Sequence, residues 1–506
     1  MSSRCPSNGK PRPRDCGAGE DASVTDTGIR RTVQGLGRDW LLANLPLLWQ
    51  TTPPRGVNRL KIWLLRRSLS ALDRRFERQF RALLRHSIST YRTHRQRPLL
   101  LASIGTLGPG GAERQLVNTL LGLRTRYDID IEVVVMSLED GSHRFFLEAL
   151  ETAGINVSRI DRNSGLVLPG DVPEQEARRL QHALHTHLHQ DLDHVSAYTS
   201  IFLARRPDIV HLWLDSVNTK GGLAAVLAGV PRIVLGMRNV NPSHFGFYQP
   251  YMRAAYRCLL DVAQVTAVNN SEAGARNYAD WIGVKASLIS VVRNGLDFTG
   301  AAAAQAHTGA SAYRTRWNIP AAARVLGGVM RLSEEKRPLL WIEVAEAVAA
   351  QHHDVHFLLV GDGVQRPLVA ARIAASGFAD RFHLVAYEQN PYDSLLAMSI
   401  LFLSSVFEGS PNALLEAQAV GIPVVTMPAG GAVEAVDDGR TGWVVHDGTP
   451  ASAAKRIAYL LTEPRELAAA AAAGPGWVRD CFGLDRMLEE TAAAYGGLRP
   501  ATPRGS

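Results

Sequence analysis

The sequence is poor in cysteine and lacks long apolar runs. Its 506 residues include 4 cysteines, which show neither metal-ligand spacing nor a disulfide pattern, and this favours a reducing compartment. No uninterrupted apolar stretch approaches the roughly eighteen residues that a transmembrane helix needs. The N-terminal segment also lacks the apolar core of a signal peptide. We therefore expect a cytoplasmic protein without a membrane-spanning helix.

The positive charge is confined to the N-terminal part of the chain. The formal net charge is +7, but the first 97 residues contain 20 Lys/Arg and 7 Asp/Glu, which leaves the remainder acidic. A basic appendage on an acidic body argues against nucleic acid as a partner of the main body.

The N-terminal part divides into two segments by composition. Residues 1–56 are rich in Ser, Gly, Pro and charge, and they predict a largely disordered basic extension. Residues 57–97 predict a basic amphipathic helix, because apolar residues recur at three- and four-residue steps with arginines between them. Such a helix either lies in an anionic membrane interface or packs on the first domain with its arginines in water.

The rest of the chain alternates apolar strands with helices, the pattern of parallel α/β sheets. We predict an N-terminal domain over 98–298 and a C-terminal domain over 313–483. An Ala-, Gly- and His-rich linker joins them, and a terminal helix and tail occupy 484–506. In such sheets, ligands bind beyond the carboxyl ends of the strands.

One stretch, FEGSPNALLEAQAVGIPVV, combines two carboxylates with a helix start. Glu408 and Glu416 stand on either side of a Gly-Ser-Pro-Asn run. Ser410 is the predicted N-cap, and the helix is expected to begin near Pro411. The free N–H groups and the dipole of this helix would favour a phosphate.

These residues resemble the retaining GT-B glycosyltransferases of family 4, the glycosyl transferases group 1, with their E-x7-E signature. A second matching motif is GGAER at Gly110-Gly111, and the resemblance covers roughly residues 98–496. It implies a GT-B fold, with two doubly wound Rossmann-like domains facing a central cleft. A basic helical N-terminal extension would be added to this fold.

The resemblance assigns expected roles to individual residues. Glu408 would lie against the donor sugar, and Glu416 would hold the ribose of the nucleotide. The expected donor-binding residues are Gly110, Gly111, Gly361, Gly363, Ser410, Pro411, Asn412, Ala413, Leu414 and Glu416.

Two cations complete the catalytic set that the resemblance implies. Arg331 and Lys336 match the pair that clamps the donor diphosphate. Cleaving a sugar–diphosphate bond builds negative charge on the leaving oxygen. One fixed donor to such charge contributes on the order of 3–4 kcal/mol in the transition state. Arg331, Lys336 and Glu408 are therefore the expected catalytic residues, and no metal is expected.

The acceptor side is expected on the first domain. Some family members carry a functional histidine at a strand end, but here His211 lies inside its strand, so a core histidine is the alternative. The helix after that strand is expected to begin near Gly221. The aromatic-rich segment 239–256 is either an acceptor wall or interdomain packing. The acceptor-side candidates are His211, Ser216, Asn218, Arg238, Asn239 and His244.

The expected function is transfer of a sugar from a nucleotide sugar to a saccharide or lipid-linked acceptor. Bacterial exopolysaccharide or envelope polysaccharide synthesis is the expected setting, with the protein peripheral on the inner face of the plasma membrane. Two alternatives stay open: a nucleotide-sugar epimerase of the same architecture, and a non-catalytic nucleotide-sugar-binding subunit. The sequence favours no particular nucleotide, sugar or oligomeric state.

Overall fold

The computed structural model describes residues 59–501, apart from 92, 94, 140, 162–163, 189–191, 307–308 and 388–390. The predicted disordered extension, residues 1–56, lies outside the described residues.

The first half of the body is built on a seven-stranded parallel sheet with the order β3-β2-β1-β4-β5-β6-β7. Its strands are near-continuous apolar runs, as expected for a sheet covered by helices on both faces. They are β1 (Leu99–Ile104), β2 (Asp130–Val135), β3 (Asn156–Arg159), β4 (Ile209–Trp213), β5 (Arg232–Met237), β6 (Val265–Asn269) and β7 (Ile289–Val291).

The second half is built on a six-stranded parallel sheet with the order β10-β9-β8-β11-β12-β13. In both sheets the chain reverses its direction of winding beside the first strand, the arrangement that opens a ligand crevice at the carboxyl edge. The strands are β8 (Arg324–Val329), β9 (Val355–Val360), β10 (Phe382–Val385), β11 (Ile400–Leu403), β12 (Val424–Thr426) and β13 (Gly442–Val444).

Helices cover these sheets and connect their strands. The first-half helices are Gly111–Arg126, Leu147–Thr152, Glu174–His187, His194–Arg205, Asp215–Ala228, Met252–Leu260 and Glu272–Ile282. The linker and second-half helices are Phe298–Ala306, Gly309–Arg316, Pro338–Ala349, Arg366–Ala374, Tyr392–Leu396, Asn412–Ala419, Pro450–Thr462, Pro464–Phe482 and Leu484–Ala494. The two doubly wound sheets confirm the predicted fold class.

The N-terminal helix spans Arg59–Leu84, and its described side chains pack on the first half. Phe76 lies edge-to-face against Tyr251, with 6.3 Å between ring centroids, and Phe80 and Leu83 are fully buried. Asp73 accepts a hydrogen bond from Arg253 Nη1 at 3.2 Å. From residue 70 onward the apolar stripe is therefore covered by protein.

The last helix, Leu484–Ala494, returns to the first half. Its Met487 and Leu488 join the core formed by β1, β2 and the helix Gly111–Arg126. The crossing point is tied by a hydrogen bond from Leu296 N–H to the Phe482 carbonyl at 2.7 Å. The chain thus passes between the halves twice, at the linker and at this helix.

Two expected helix starts differ from the structure. The helix after β4 begins at Asp215 and not near Gly221. Leu214 precedes it with a left-handed φ of 72°, so the chain turns directly from strand into helix. The helix of the E-x7-E segment begins at Asn412, with Pro411 at the N-cap and no side-chain cap. The prediction that Ser410 caps this helix was therefore wrong.

Among the described residues, no helix has both the length and the apolar character needed to cross a membrane.

Candidate functional site

The candidate site lies where the carboxyl edges of the two sheets face each other. The loop after β8 carries Arg331 and Lys336, and the loop after β11 carries Glu408. These loops are bound together: Ser404 Oγ donates to the Lys336 carbonyl at 2.7 Å, and Val406 N–H donates to the Glu335 carbonyl at 2.9 Å. Residues far apart in the chain are thereby fixed side by side.

Lys336 and Glu408 form an ion pair at this edge. The Lys336 Nζ donates to Glu408 Oε1 at 2.6 Å. Glu408 is almost entirely buried, and Lys336 retains partial exposure. The structure therefore places two of the three predicted catalytic residues in direct contact, with the ammonium partly open to solvent.

Arg331 is exposed on the same loop, and its positive charge reaches Glu113 of the first half. Burial raises the pKa of the Glu113 carboxyl, and Arg331 partly opposes that shift. The loop is braced by its neighbour after β9, since Leu332 N–H donates to the Asp362 carbonyl at 2.8 Å. The Arg331 backbone is thus held in place while its side chain is free to contact an anion.

Gly361, one of the expected donor-binding residues, has a backbone reason for being glycine. Gly361 has a φ of 155°, and a Cβ there would lie 1.9 Å from the Met330 carbonyl oxygen. Only glycine fits such an approach without moving the backbone. Gly363 occupies the equivalent position against Leu332. Both glycines therefore shape the loop that carries Arg331.

Asn412 links the first helical turn of the E-x7-E segment to the first half. Its Oδ1 accepts from Asn294 Nδ2 at 2.7 Å and from Gln115 Nε2 at 3.3 Å. Its Nδ2 donates to the Gly111 carbonyl at 3.3 Å. The GGAER loop, which also contains Gly110, is therefore joined directly to the N-terminus of the helix Asn412–Ala419.

Glu416 is buried and forms an ion pair with Arg114, a residue of the first half. Arg114 Nη2 also donates to Tyr387 OH at 2.6 Å, and the negative charge of Glu416 raises the Arg114 pKa. The carboxylate expected to hold the ribose is thus already oriented by a cation from the opposite half.

The remaining predicted donor residues surround this helix start. Ser410 is half-buried, and its carbonyl accepts from Asn294 Nδ2 at 2.9 Å. Ala413 is partly exposed, and Pro411 and Leu414 are buried. Leu414 belongs to the hydrophobic core of the second half, so its side chain supports the helix and cannot face a ligand.

A further carboxylate of the second half caps a helix of the first half. Glu434 accepts from Glu272 N–H at 2.9 Å and from Ala273 N–H at 2.7 Å. An acidic side chain is favourable at a helix N-terminus, where the N–H groups have no intrahelical partner. This contact adds to the connections between the halves.

Two acceptor-side candidates lie in the core. His211 is 3% exposed, is hydrogen-bonded through Nδ1 to Tyr495 OH at 2.7 Å, and lines a cavity of about 10 Å³. That volume is too small for a sugar. Asn218 is fully buried and donates to the Gly236 carbonyl and to Tyr256 OH, both at 3.0 Å. Both side chains therefore make their hydrogen bonds in the interior, as the core alternative for His211 expects, and the acceptor contact of both residues stays a prediction.

Three other acceptor-side candidates lie at strand ends. Ser216 is half-buried in the first turn of its helix. Arg238 donates to Asn294 Oδ1 at 2.6 Å, lies 4.4 Å from the Trp213 ring centroid, and has a pKa lowered to about 9 by burial. Asn239 accepts from Val240 N–H at 2.8 Å. Arg238 thus orients the Asn294 amide, whose Nδ2 donates to Asn412.

His244 is the remaining candidate, and it reaches the second half. Its ring stacks on Phe407, the residue before Glu408, with 4.3 Å between centroids. Burial lowers its pKa, which favours the neutral form of the ring.

Sequence reasoning did not rank several residues that the structure brings to this site. Glu113 and Arg114 complete the GGAER motif, so the motif itself was the available signal. Asn294 precedes Gly295, and Glu434 lies three residues after Gly431, but neither spacing by itself marks a site. Tyr387 carried no signal, because only the tertiary structure places it beside Arg114.

Within the described ranges, no group of three or more His, Cys, Asp or Glu side chains is arranged to hold a metal ion.

Two family descriptions match the chain, one in each half. Residues 109–299 match Glycosyltransferase Family 4, and residues 311–476 match Glycosyl transferases group 1. Together these matches span well over half of the chain.

Curated relatives agree with these matches. The Vi polysaccharide biosynthesis protein VipC/TviE of Salmonella typhi is 30% identical over 387 residues, which are 72% of this chain and 66% of the relative. The alignment thus falls just short of two thirds of that relative's length. The 2-deoxystreptamine glucosyltransferase of Streptomyces kanamyceticus is 28% identical over 57% of this chain and 77% of its own length.

Solved structures share the architecture. The crystal structure of Anabaena Alr3699/HepE in complex with UDP and glucose matches with a TM-score of 0.63 and 22% sequence identity. The match covers 79% of this chain and 99% of that chain. At this identity the likeness establishes the fold.

Proposed function

Because this chain belongs to the group 1 (family 4) glycosyltransferases of the GT-B fold, we propose that it transfers a sugar from a nucleotide sugar to a hydroxyl of a saccharide or lipid-linked saccharide, with retention at the anomeric carbon. One observation carries the proposal. The Lys336–Glu408 pair joins the loop of Arg331 to the loop that leads into the helix Asn412–Ala419. Cations, a carboxylate and a helix N-terminus thus converge where a sugar diphosphate would bind.

The donor site would work by stabilising charge. As the bond from the anomeric carbon to the diphosphate oxygen breaks, negative charge grows on that oxygen. Arg331 and Lys336 would stabilise this charge more strongly in the transition state than in the ground state. We propose that these cations remove the need for a metal ion. Glu416 would accept hydrogen bonds from the ribose.

Retention would follow from attack on the face that the diphosphate leaves. The acceptor oxygen forms a bond to the anomeric carbon as the diphosphate bond breaks, and the leaving phosphate oxygen takes the acceptor proton. Glu408 would orient the donor sugar. This front-face course is what membership of the family implies, and it requires no nucleophilic side chain.

The setting we propose is synthesis of a bacterial exopolysaccharide or envelope polysaccharide on the cytoplasmic side of the membrane. The name of the Salmonella relative, a Vi polysaccharide biosynthesis protein, supports this setting. The Anabaena structure contains UDP and glucose, which supports a nucleotide-sugar donor of the UDP class.

The deciding experiment is a thermal-shift and hydrolysis screen of the purified protein against UDP-, GDP- and ADP-sugars, with and without EDTA. We expect one nucleotide class to raise Tm in EDTA, and Lys336→Ala to abolish the rise. Lys455→Ala, an exposed lysine on the helix Pro450–Thr462, is the matched control. If no nucleotide sugar binds wild-type protein, the proposed function fails.

The same samples separate the alternatives. An epimerase would isomerise the sugar of its donor in the absence of any acceptor. A non-catalytic binding subunit would show the Tm rise but neither hydrolysis nor transfer with any acceptor. Transfer to an added saccharide without isomerisation supports the transferase.

We propose that the N-terminal helix also contacts an anionic membrane. Its apolar stripe is buried from residue 70 onward, but Arg74, Arg75 and Arg78 are exposed. Each basic residue near such a surface contributes about 1 kcal/mol. Replacing the three arginines by alanine should release the protein from phosphatidylglycerol vesicles in co-sedimentation, whereas Arg456→Ala/Arg465→Ala should not. Equal binding by both variants would contradict the proposal.

A further inference from the structure

An aromatic surface borders the candidate site, and the donor machinery does not use it. It is formed by His244, Phe245 and Phe247 from the loop after β5, together with Phe407 from the second half. The rings of Phe245 and Phe247 are parallel within 4°, with 5.3 Å between centroids. Phe245 contacts Phe407 edge-to-face at 6.1 Å. We call these four residues the aromatic platform.

The platform exposes apolar area that a folded chain ordinarily buries. The Phe247 side chain is 55% exposed, and Phe245 and His244 are half-buried. Phenylalanine is among the residues most often found inside proteins. Phe247 stacks on Phe245, so the outward face of the Phe247 ring is the apolar surface available to a partner.

The loop that carries the platform is held firmly. Asn241 Oδ1 accepts from Ser243 N–H at 3.1 Å, and Asn241 Nδ2 donates to Asn277 Oδ1 at 2.7 Å. At the other end, Tyr248 is 5% exposed and packs edge-to-face on Trp281 at 6.1 Å. The rings are therefore preorganised, so binding a ligand would cost little ordering entropy.

The position of the platform identifies its occupant as a substrate. Phe407, on which the His244 ring stacks, is followed directly by Glu408, whose carboxylate contacts Lys336. A molecule on the platform would therefore adjoin the loop that carries this carboxylate, which we place against the donor sugar. In a transfer reaction, that neighbour must be the acceptor.

The chemistry of the platform favours a sugar ring over a lipid chain. A pyranose has a C–H face that packs on aromatic rings and hydroxyls that need hydrogen-bond partners. The exposed Phe247 ring, backed by Phe245, offers the flat surface. The neutral imidazole of His244 offers one donor and one acceptor, which a lipid chain could not use.

We propose that the aromatic platform binds a pyranose ring of the acceptor, with the exposed Phe247 ring against its C–H face and His244 hydrogen-bonded to a hydroxyl. This inference rests on the proposed function, since it names the class of acceptor at the same site. The platform residues contribute acceptor affinity and selectivity, while the bond-making steps belong to the donor machinery.

The test compares Phe247→Ala with Phe247→Trp and with a matched control, Leu368→Ala. Leu368 is also an exposed hydrophobic residue, at 58%, but on the second half. The probes are methyl and octyl pyranosides of glucose, galactose, mannose and N-acetylglucosamine. Saturation-transfer NMR reports which probe protons touch the protein, and acceptor KM is measured with the donor found in the thermal screen.

We expect saturation on the ring C–H protons of at least one pyranoside. In Phe247→Ala we expect that signal to weaken and the acceptor KM to rise about five- to tenfold. Phe247→Trp should restore both, and donor hydrolysis without acceptor should be unchanged in every variant. Because Phe247 is mostly exposed, its replacement should leave Tm within a few degrees of wild type.

Two results would overturn the inference. Saturation of the octyl chain without the sugar ring would mean that the platform binds a lipid. Ring saturation and acceptor KM unaffected by Phe247→Ala would place the acceptor elsewhere. Either result with normal donor hydrolysis leaves the proposed function standing. Absence of donor binding in wild-type protein would instead defeat the proposed function, and the NMR comparison would still test sugar binding by the platform.

Discussion

Each carboxylate of the E-x7-E segment is paired with a cation that comes from a distant part of the chain. Glu408 contacts Lys336 from the loop after β8, and Glu416 contacts Arg114 from the first half. Burying a carboxylate is costly unless it is paired. The cations therefore offset the cost of burying both carboxylates and fix their orientation.

The Lys336–Glu408 pair allows stability and activity to be separated. We expect Lys336→Ala to lower Tm, because the buried Glu408 carboxylate loses its partner, and to lower turnover at least about a hundredfold. The double variant Lys336→Met/Glu408→Gln removes both charges, so it should regain most of the lost Tm while staying inactive. Calorimetry and a transfer assay measure the two effects. Near-normal turnover in Lys336→Ala or Glu408→Ala would contradict the assigned roles.

His211 should make the protein sensitive to acid. Burial, reinforced by the positive charge of Arg238, lowers its pKa from 6.5 to about 3. The unfolded chain therefore binds this proton first, so stability is complete above about pH 6.5 and declines as the pH falls towards 3. The slope is up to about 1.4 kcal/mol per pH unit. Urea unfolding at several pH values should show a shallower decline for His211→Gln. If the unfolding free energies of the wild type and of His211→Gln fall in parallel with pH, His211 is not a source of the acid sensitivity.

At the scale of elements, the loops after β8 and β9 act as one unit. Hydrogen bonds join them at Leu332, Asp362 and Gln365, and the close approach depends on Gly361. The position of Arg331 is thus set by the neighbouring loop as much as by its own.

Replacing Gly361 by alanine tests this unit. The new Cβ would meet the Met330 carbonyl in a backbone conformation that alanine rarely adopts. We expect a loss of about 2 kcal/mol or more in unfolding free energy, together with weaker nucleotide binding in the thermal screen. Gly377→Ala is the control, because a Cβ there meets no atom within 4 Å. If the two variants were equally stable, the loops after β8 and β9 would not depend on their close approach at Gly361.

At the scale of the whole molecule, the two halves are joined by polar contacts around the site. Arg114–Glu416, Asn294–Asn412 and the Glu434 cap each pair a residue of one half with a residue of the other. Because these contacts involve residues expected to bind donor, ligand binding and the arrangement of the halves should be coupled.

Removing two of these contacts should allow the two halves to move farther apart. We expect Arg114→Ala/Glu434→Ala to increase the radius of gyration in small-angle scattering, since Glu416 loses its cation and the helix Glu272–Ile282 loses its cap. Loss of the cap costs about 1 kcal/mol, and leaving the buried Glu416 without its cation costs about 3–5 kcal/mol. Arg465→Ala/Glu489→Ala, which alters two exposed side chains, is the control. An unchanged radius would mean that the linker and the last helix alone fix the halves.

Much of the fold was predictable because its signals are local. Apolar strands such as β1 and β4, followed by glycine or polar loops and then helices, predict doubly wound parallel sheets without any knowledge of long-range contacts. The donor motif was equally readable, since the residues from Glu408 to Glu416 are contiguous. The exact start of a helix was less predictable. Ser410 is a residue type that favours the N-cap position, yet Pro411 occupies that position.

The sequence by itself determined the fold class, the family and the segments that carry charge to the sheet edges, because these depend on periodicity and short motifs. Only the tertiary structure decided which charges meet. Arg114 lies 302 positions from Glu416 along the chain, and the same folding that joins them buries His211 and Asn218 in the interior. The aromatic platform likewise exists only once Phe407 is brought to the loop of Phe247. Such pairings depend on packing between distant elements, which no local pattern encodes.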